Sequence, residues 1–391
     1  MTDGPAEAAA LLTDDLIVEI LSRLPARSVH RFKCVSTSWR DLIADPANRK
    51  KLPHTLAGFL YSIYDRVGPR VHYLRFADFS IGAALPVDMS LPFLPPNKDL
   101  YVLDTCNGLL LCLCYMAPSS PSTDENAPVE LESHYIVCNP ATERWAALPP
   151  NSEVPNDRPI FARLAFDPAV SSHFHVLQFR VARQGGCITG VNIYSSKSGA
   201  WIRRESLLVY KFLLQFGATS VFFHGMLHLL GWLLPNNMRD DAVLLALDME
   251  GKVWKTIRVP SGGLTCGRIG LSQGCLHYFT APRVKKKKEN TKVASVWFIE
   301  DYDSKQWVLK HSVSNDELRN INGVEVEYKV AAFHPDCDTI FLEACDVNAL
   351  ASYDMQHQKF HQILNLREKK ASNYLPYVPL FSDSLAGADG Q

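Results

Sequence analysis

The residue types that could bind a metal occur as short pairs along the chain. Cys112 and Cys114 form a Cys-x-Cys pair. The histidine pairs are His173/His175, His224/His228 and His357/His361. A protein metal site takes three or four such ligands, and neither kind of pair forms part of a complete ligand motif. Because residues i and i+2 of a β-strand share one face, packing alone explains the Cys-x-Cys spacing. We therefore expect no metal and no cofactor.

The sequence motifs of common catalytic sites do not indicate an enzyme either. The sequence contains no phosphate-binding glycine loop and no His-Glu-x-x-His motif, and we predict no nucleophile elbow. The run Lys285 to Lys288 is compatible with a nuclear localisation signal or a nucleic-acid patch, but a solvated loop between two strands is the simpler interpretation. With a net charge of -1, we expect neither a nucleic acid nor an anionic membrane as partner.

Composition is that of a globular protein, with 47% hydrophobic and 21% charged residues among 391. The ten cysteines form no CxxC pair or tight framework, which favours reduced thiols and a cytoplasmic and/or nuclear location. The N-terminus has no basic segment, so we predict no secretory signal. Residues 212–234 lack charged side chains, but Gln215 and the central His-Gly favour two buried strands around a turn over a membrane span.

The first fifty residues show helical periodicity. Thr13 precedes Asp14 and Asp15 and can cap a helix that ends before Pro25. A second helix follows from about Ser28, and a third starts at Ser36 or Thr37 and ends before Pro46. Such a short module is too small for a sufficient core of its own. We therefore expect it to dock onto another protein, although periodicity alone would equally allow a helical cap on the following domain.

This segment, "LLTDDLIVEILSRLPARSVHRFKCVSTSWRDLIADP", resembles an F-box, which docks onto the Skp-family adaptor of cullin-based ubiquitin ligases. The closest resemblance is to plant F-box proteins. Leu12, Asp15 and Leu16 match the usual Leu-Pro-x-Asp/Glu-Leu start, but Thr13 stands where proline is usual. The resemblance implies that adaptor docking and the packing beneath it involve Leu12, Asp15, Leu16, Ile20, Leu24, Pro25, Val29, Phe32, Val35 and Trp39.

The remaining chain carries a repeat of about fifty residues. An aromatic residue that opens a strand recurs at Trp145, Trp201, Trp254, Trp307 and Phe360, with spacings of 56, 53, 53 and 53. Each unit reads as four antiparallel strands, a pattern typical of a kelch-like β-propeller blade. We expect the recurring aromatic side chains to wedge neighbouring sheets together rather than to form a ligand cage.

Five units run over residues 99–150, 160–208, 217–260, 267–313 and 328–368. We predict a sixth blade built from residues 56–79 and 374–381, so that both chain ends close the ring. The region resembles the F-box-associated domain of plant F-box proteins, whose ending is similar to "NYLPYVPLF". The predicted fold is mostly β with a small α module: a three-helix F-box over 11–50 and a six-bladed propeller over 55–385. We expect disorder at residues 1–10 and 386–391.

Polar segments of variable length recur between the second and third strands of each unit. They span residues 115–133, 182–189, 235–241, 282–292 and 345–349. Equivalent loops of a propeller emerge on one face, and loops on a rigid scaffold often carry recognition. We predict that this face binds a target protein through Tyr115, Arg183, Asn236, Asn237, Arg239, Lys285 and Lys287.

The sequence thus favours a non-catalytic substrate receptor of a ubiquitin ligase, with a Skp-family adaptor, a cullin and an unidentified target protein as partners. Two alternatives stay open. A propeller enzyme with an incidental helical cap would need convergent carboxylates or histidines in a deep channel. A binding protein that acts without ubiquitin transfer, such as a glycan-binding module, would need neither.

Overall fold

The computed structural model describes residues 12–24, 28–29, 32, 36–45, 48, 51–52, 56–64, 72–78, 88–96, 99–116, 132–151, 161–182, 186–215, 217, 219–234, 242–260, 267–281, 293–314, 328–344, 349–365, 370–380 and 385. These residues form an N-terminal helical module followed by a series of small antiparallel sheets. The predicted disordered segments, 1–10 and 386–391, lie outside them.

Two helices of the module are α1 (Asp14–Ser22) and α2 (Thr37–Ala44). As predicted, the Thr13 hydroxyl caps α1, where it accepts a hydrogen bond from the Leu16 N–H at 3.4 Å. Ser36 caps α2 in the same way, through the Trp39 N–H at 3.1 Å. Residues 28, 29 and 32 are helical too, in the region where the sequence predicts the middle helix.

The first two strands belong to the last blade, and the other five blades of the ring have four consecutive strands each. The first two are β1 (Gly58–Tyr64) and β2 (His72–Asp78). Blade 1 is β3 (Asp99–Cys106), β4 (Leu109–Met116), β5 (Glu132–Asn139) and β6 (Arg144–Ala147). Blade 2 is β7 (Ala162–Ala165), β8 (His175–Val181), β9 (Cys187–Ser195) and β10 (Ala200–Glu205). The short strand β11 (Lys211–Leu214) follows blade 2.

The second half of the ring repeats this pattern. Blade 3 is β12 (Val221–Phe223), β13 (Met226–Leu234), β14 (Ala242–Asp248) and β15 (Trp254–Arg258). Blade 4 is β16 (Arg268–Ser272), β17 (Cys275–Thr280), β18 (Val293–Ile299) and β19 (Trp307–Ser314). Blade 5 is β20 (Tyr328–Phe333), β21 (Thr339–Ala344), β22 (Ala349–Asp354) and β23 (Lys359–Asn365). The last strand is β24 (Lys370–Tyr377).

The sixth blade joins both ends of the chain, as predicted. Its sheet has the order β2-β1-β24, and β24 lies beside the first strands of blades 5 and 1, β20 and β3. The innermost position of blade 6 is therefore filled by β24, and the strands β1 and β2 lie outside it. Six blades thus close the ring, and β24 protects the edge that an open disc would expose.

Blades 2 and 3 form one continuous sheet, which the sequence did not indicate. Residues 212–234 contain three strands, β11, β12 and β13, rather than the two buried strands expected. The additional strand β11 pairs with both β9 and β13, and Phe212 at its centre is fully buried. A four-residue strand offers too little periodicity to be recognised, and tertiary pairing stabilises it here.

The aromatic repeat links neighbouring blades, as expected, at two positions. The indole N–H of Trp201, in blade 2, donates to the Pro149 carbonyl at the end of blade 1 at 2.8 Å. In blade 4, the Trp307 indole donates to the Arg258 carbonyl of blade 3, also at 2.8 Å. The N–H of each indole therefore has a partner in the neighbouring blade and links the two.

The two faces of the disc differ in their connections. The turn face carries the hairpins between first and second strands, such as Asn107-Gly108, where φ angles of 47° and 88° define a tight left-handed turn. On the opposite side lies the loop face, where each second strand ends and the third begins. Gly58 pairs with Tyr377 at the end of β24, so the chain enters blade 6 from the turn face.

Candidate functional site

One side of helix α1 exposes a stripe of large apolar side chains. Leu12, Leu16 and Ile20 are 38%, 50% and 46% exposed. Leu16 and Ile20 lie four residues apart on the same face of the helix, and Leu12 directly precedes the Thr13 cap. The opposite side of the helix buries Ile17 and Leu21 in the core of the module. Burial of the outer stripe therefore requires a surface that the described chain does not supply.

The other residues predicted for adaptor docking divide into three groups. Asp15 is exposed in the first turn of α1, where the helix dipole favours a negative charge. Val29 is buried in the module core, and Leu24, Phe32 and Trp39 pack half-buried against it. The rings of Phe32 and Trp39 lie 5.3 Å apart. Pro25 and Val35 lie outside the described residues.

The module sits close to the turn face of the propeller. Leu52 belongs to the module core, and Leu56 belongs to the core that blades 5 and 6 share. Only three residues separate these two anchor points. The helical module therefore attaches on the side of the disc opposite the loop face.

The variable segments do occupy equivalent positions in five blades. Each one leaves the end of a second strand and returns at the start of a third. These strand pairs are β4/β5, β8/β9, β13/β14, β17/β18 and β21/β22. All five segments therefore leave the same face of the disc, as the repeat predicts.

Most of the residues predicted to bind the target lie outside the part of the chain that the structure describes. They are Arg183, Asn236, Asn237, Arg239, Lys285 and Lys287. Tyr115 is described, near the end of β4, where it is half-buried. Its ring packs edge-on against that of Tyr101 at 5.8 Å, so at least part of its surface serves packing.

An apolar segment missed by the sequence reasoning also borders the loop face. Leu207, Val209 and Tyr210 are 63%, 92% and 55% exposed. They lie just before β11, which joins the loop-face ends of β9 and β13. Their clustering within four residues was visible in the sequence, but nothing in the repeat showed that this segment faces solvent.

A cavity of about 170 Å³ lies on the axis at the turn face. Residues from blades 1, 3, 4, 5 and 6 line it, together with Leu56 from the connection to the helical module. The walls are mostly apolar and include Phe222 and Phe333. Asp104 is the one charged residue among its lining side chains.

The Asp104 carboxylate connects three blades. It accepts hydrogen bonds from the Leu164 N–H of blade 2 at 2.9 Å and from the Ser220 hydroxyl at 2.8 Å, just before blade 3. The N–H of Thr105 donates a third at 3.0 Å. Burial raises the pKa of the carboxyl, and the charge of Arg163 opposes that shift. Sequence reasoning missed Asp104 because its partners lie far along the chain.

The cysteine and histidine pairs show no arrangement of a metal centre. In the described part of the chain, no group of three or more His, Cys, Asp or Glu side chains is placed to hold a metal ion. Cys112 and Cys114 are buried in the core of blade 1, and burial raises the pKa of Cys114 to about 12. Burial therefore favours the protonated form of these thiols in the folded protein.

One sequence pattern of hydrolases does occur, at Gly270-Leu271-Ser272-Gln273-Gly274. A nucleophile elbow places its serine between a strand and a helix, whereas Ser272 ends β16 just before the turn to β17. Ser272 is only 3% exposed, and its hydroxyl donates to the Cys337 carbonyl. This serine is therefore a structural residue of a β-hairpin.

Neither described helix has the length and hydrophobicity that a transmembrane crossing requires. The uncharged segment 212–234 forms strands of blade 3 and β11. Its apolar side chains, including Phe212, Leu227 and Leu229, are buried in the core between blades 2 and 3.

Six blades, two of them joined in one sheet, follow a helical module with an open apolar stripe and define a β-propeller protein with a separate docking module. The chain belongs to the family described as "F-box protein At3g26010-like, beta-propeller", which matches residues 84–378, and residues 10–51 match the F-box domain. An F-box joined to this propeller suggests substrate recognition within a Skp–cullin–F-box ligase. Proteins of this kind typically act as adaptors rather than as enzymes.

Several F-box proteins of a plant match this chain along most of their length. F-box protein At5g49610 of Arabidopsis thaliana is 26% identical over 361 residues, which cover 85% of each chain. F-box protein At5g07610 of the same plant is 24% identical and covers 78% of this chain and 71% of its own. Among solved structures, a chain of a nidogen/laminin complex aligns with a TM-score of 0.42 at 10% identity, over 83% of this chain and 99% of its own.

Proposed function

We propose that this protein is the substrate-recognition subunit of a Skp–cullin–F-box ubiquitin ligase. The exposed stripe on α1 docks the Skp-family adaptor, and through it a cullin. The loop face of the propeller binds the target protein. No residue of the chain then needs to perform chemistry, because the assembly acts by raising the effective concentration of a target lysine near the ubiquitin-loaded enzyme.

The observation that carries this proposal is the unpaired apolar stripe of Leu12, Leu16 and Ile20. A soluble protein rarely leaves three large apolar side chains open unless they meet a partner. Leu16 and Ile20 are about half exposed, so burial of each stabilises a complex by about half of the 1.5–3 kcal/mol of full burial, or about 1 kcal/mol. The two together therefore contribute about 2 kcal/mol, a factor of roughly 30 in affinity, and a carboxylate buried at either position would add a desolvation cost.

The helical module and the variable segments lie on opposite faces of the disc, which supports separate binding sites for the adaptor and the target. The helical module attaches at the turn face, and the variable segments leave from the loop face. An adaptor bound to α1 therefore leaves the loop face free for a target.

All seven described cysteines are free thiols, in keeping with our proposal that the protein works in the cytoplasm and/or nucleus.

The test of adaptor docking compares a double variant in the apolar stripe with a control variant that introduces a carboxylate elsewhere. Leu16→Asp with Ile20→Asp places carboxylates in the stripe, and we expect at least a hundredfold loss of adaptor affinity in titration calorimetry. The matched control is Val170→Asp, which alters a side chain that is 75% exposed on the turn face of blade 2. We expect this control to bind the adaptor like the wild type. Unchanged affinity of the double variant would refute the docking assignment.

The same double variant tests target recognition. A target bound to the loop face should still be captured by a chain that cannot recruit the ligase, and it should accumulate in cells because its turnover stops. Partners that disappear with the double variant belong to the ligase. If captured proteins show the same lifetime with both chains, the protein binds without ubiquitin transfer, which is the alternative of a plain binding module.

The axial cavity does not favour the alternative of a propeller enzyme. A propeller hydrolase needs a pair of titratable groups that converge on a substrate. The lining residues of this cavity include one carboxylate and no histidine. That carboxylate already accepts three hydrogen bonds from protein donors.

A further inference from the structure

Asp104 is a buried carboxylate without a direct ion pair. The residue is 4% exposed, and within the described residues no lysine, arginine or histidine forms an ion pair with it. The charge of Arg163 still favours its ionised form. A buried charge without a paired charge is unfavourable unless other groups compensate it. Three hydrogen bonds provide part of that compensation and leave about one acceptor position of the four on a carboxylate.

The hydrogen bonds around the cavity show which kind of group fits beside Asp104. Every polar side chain of the lining already makes at least one hydrogen bond within the protein. The Thr105 hydroxyl donates to the Pro376 carbonyl at 2.8 Å, and the Thr219 hydroxyl donates to the Ile269 carbonyl at 3.3 Å. The Cys106 thiol and the Asn107 amide both donate to the Phe166 carbonyl, and Ser220 donates to Asp104 itself.

The side chains of this cavity therefore offer acceptors, one negative charge and, as a further donor, the second N–H of the Asn107 amide. A ligand that brings a negative charge would be repelled by the Asp104 carboxylate. A ligand with a positively charged donor would form an ion pair and a hydrogen bond with it. Charge-assisted hydrogen bonds of this kind are about twice as strong as neutral ones.

The size and the walls of the cavity limit the rest of the ligand. Its volume of about 170 Å³ is close to the roughly 150 Å³ that accommodates benzene in a protein interior. Phe222, Phe333 and Leu375 contribute apolar walls. These walls favour a short hydrocarbon stem and disfavour a hydrated metal ion, which needs several oxygen ligands.

We propose that the axial cavity binds a primary ammonium or guanidinium group on a short apolar stem, with the Asp104 carboxylate as its counter-ion. The group is carried either by a small amine or by a lysine or arginine side chain of a peptide. The proposal does not depend on the ligase role, because it concerns the turn face and not the loops or the helical module.

The test measures binding of n-butylammonium to the full-length protein by ligand-observed NMR. From the binding energy that small ligands gain per atom, we expect a Kd of about 1 mM. Butan-1-ol, which is neutral and of equal length, should bind at least tenfold more weakly, since hydrogen bonds to a charged group are stronger. Intermolecular NOEs should connect the butyl protons to the rings of Phe222 and Phe333.

Two variants identify the counter-ion. Asp104→Asn keeps the shape of the side chain but removes its charge, and it should weaken n-butylammonium binding at least tenfold. Ser220→Ala removes one hydrogen bond to the same carboxylate but keeps the charge, so binding should remain or become tighter. If Asp104→Asn does not fold, the comparison of amine with alcohol and the NOEs on the wild type decide the question.

A peptide pair distinguishes the two sources of the cation. The end-blocked peptides Gly-Lys-Gly and Gly-norleucine-Gly differ only in the ammonium group. Binding of the lysine peptide alone would assign the cavity to a side chain, whereas binding of n-butylammonium without either peptide would assign it to a small amine. Equal binding of amine and alcohol, displacement of the amine by millimolar Ca²⁺, or absence of the NOEs would overturn the proposal.

Discussion

A single buried histidine should make the stability of the propeller depend on pH. His228, on β13, is fully buried. Its Nδ1 lies 3.2 Å from the Val221 carbonyl oxygen, and its Nε2 lies 2.6 Å from the Tyr302 hydroxyl. A carbonyl can only accept, so Nδ1 carries the proton and Nε2 accepts from Tyr302. The folded protein therefore holds the neutral ring between blades 3 and 4.

The size of the effect follows from the pKa in the two states. Burial lowers the pKa of His228 from 6.5 to about 4 in the folded protein. Above pH 6.5 the ring is neutral in both states and contributes nothing to the pH dependence. Between pH 6.5 and 4 only the unfolded chain binds the proton, so the free energy of unfolding falls by about 1.4 kcal/mol per pH unit. The total loss from this residue by pH 4 is about 3 kcal/mol.

The assay compares urea unfolding at pH 7, 6 and 5 for the wild type and His228→Gln. The variant should be less stable at pH 7, but its stability should fall less steeply as the pH decreases, by about 1.4 kcal/mol per unit. Tyr302→Phe is the matched control, because it loses the same hydrogen bond and keeps the titrating ring, so it should retain the wild-type pH slope. An identical slope for the wild type and His228→Gln would refute the assignment.

Three further tests use substitutions that probe the packing of the blades. Gly108→Ala should destabilise the protein more than Gly274→Ala: both glycines have positive φ, but a Cβ at Gly108 would meet the C-terminal segment at 2.3 Å, whereas nothing lies within 4 Å at Gly274. Thermal unfolding would measure the difference, and equal losses would contradict it. Trp307→Phe should cost about 1 kcal/mol, the hydrogen bond to blade 3, and a neutral effect in urea unfolding would argue against this link. Phe212→Ala should cost about 3–5 kcal/mol, in contrast to Val209→Ala, which removes exposed surface and should change the stability by less than about 0.5 kcal/mol.

Local patterns were sufficient for much of the fold. The Thr13 cap depends on neighbouring residues, so the sequence alone indicated it. The repeated aromatic positions, such as Trp201 and Trp307, indicated the blades because a large side chain recurs at the position where one blade packs against the next. The sixth blade was predicted because residues 56–79 and 374–381 contain strand segments that belong to none of the five units. Each segment is too short for a blade alone, and together they can close the ring.

Contacts between distant residues were beyond the reach of such patterns. Asp104 bonds to residues 60 and 116 positions away, and a lone aspartate in a strand gives no sign of either partner. The strand β11 is too short to show periodicity. The helical pattern of the module predicted which residues are apolar, but only the packing separates buried Val29 from exposed Leu16 and Ile20.

The position of β24 sets the order in which the molecule can be completed during synthesis. The helical module leaves the ribosome before the disc, and its core ends at Leu52. The innermost strand of the sixth blade emerges only after residue 370, at typical translation rates on the order of tens of seconds later. The nascent chain can therefore present the apolar stripe of α1 to a cellular partner while the disc is still an open arc, because the ring cannot close before β24 has been made.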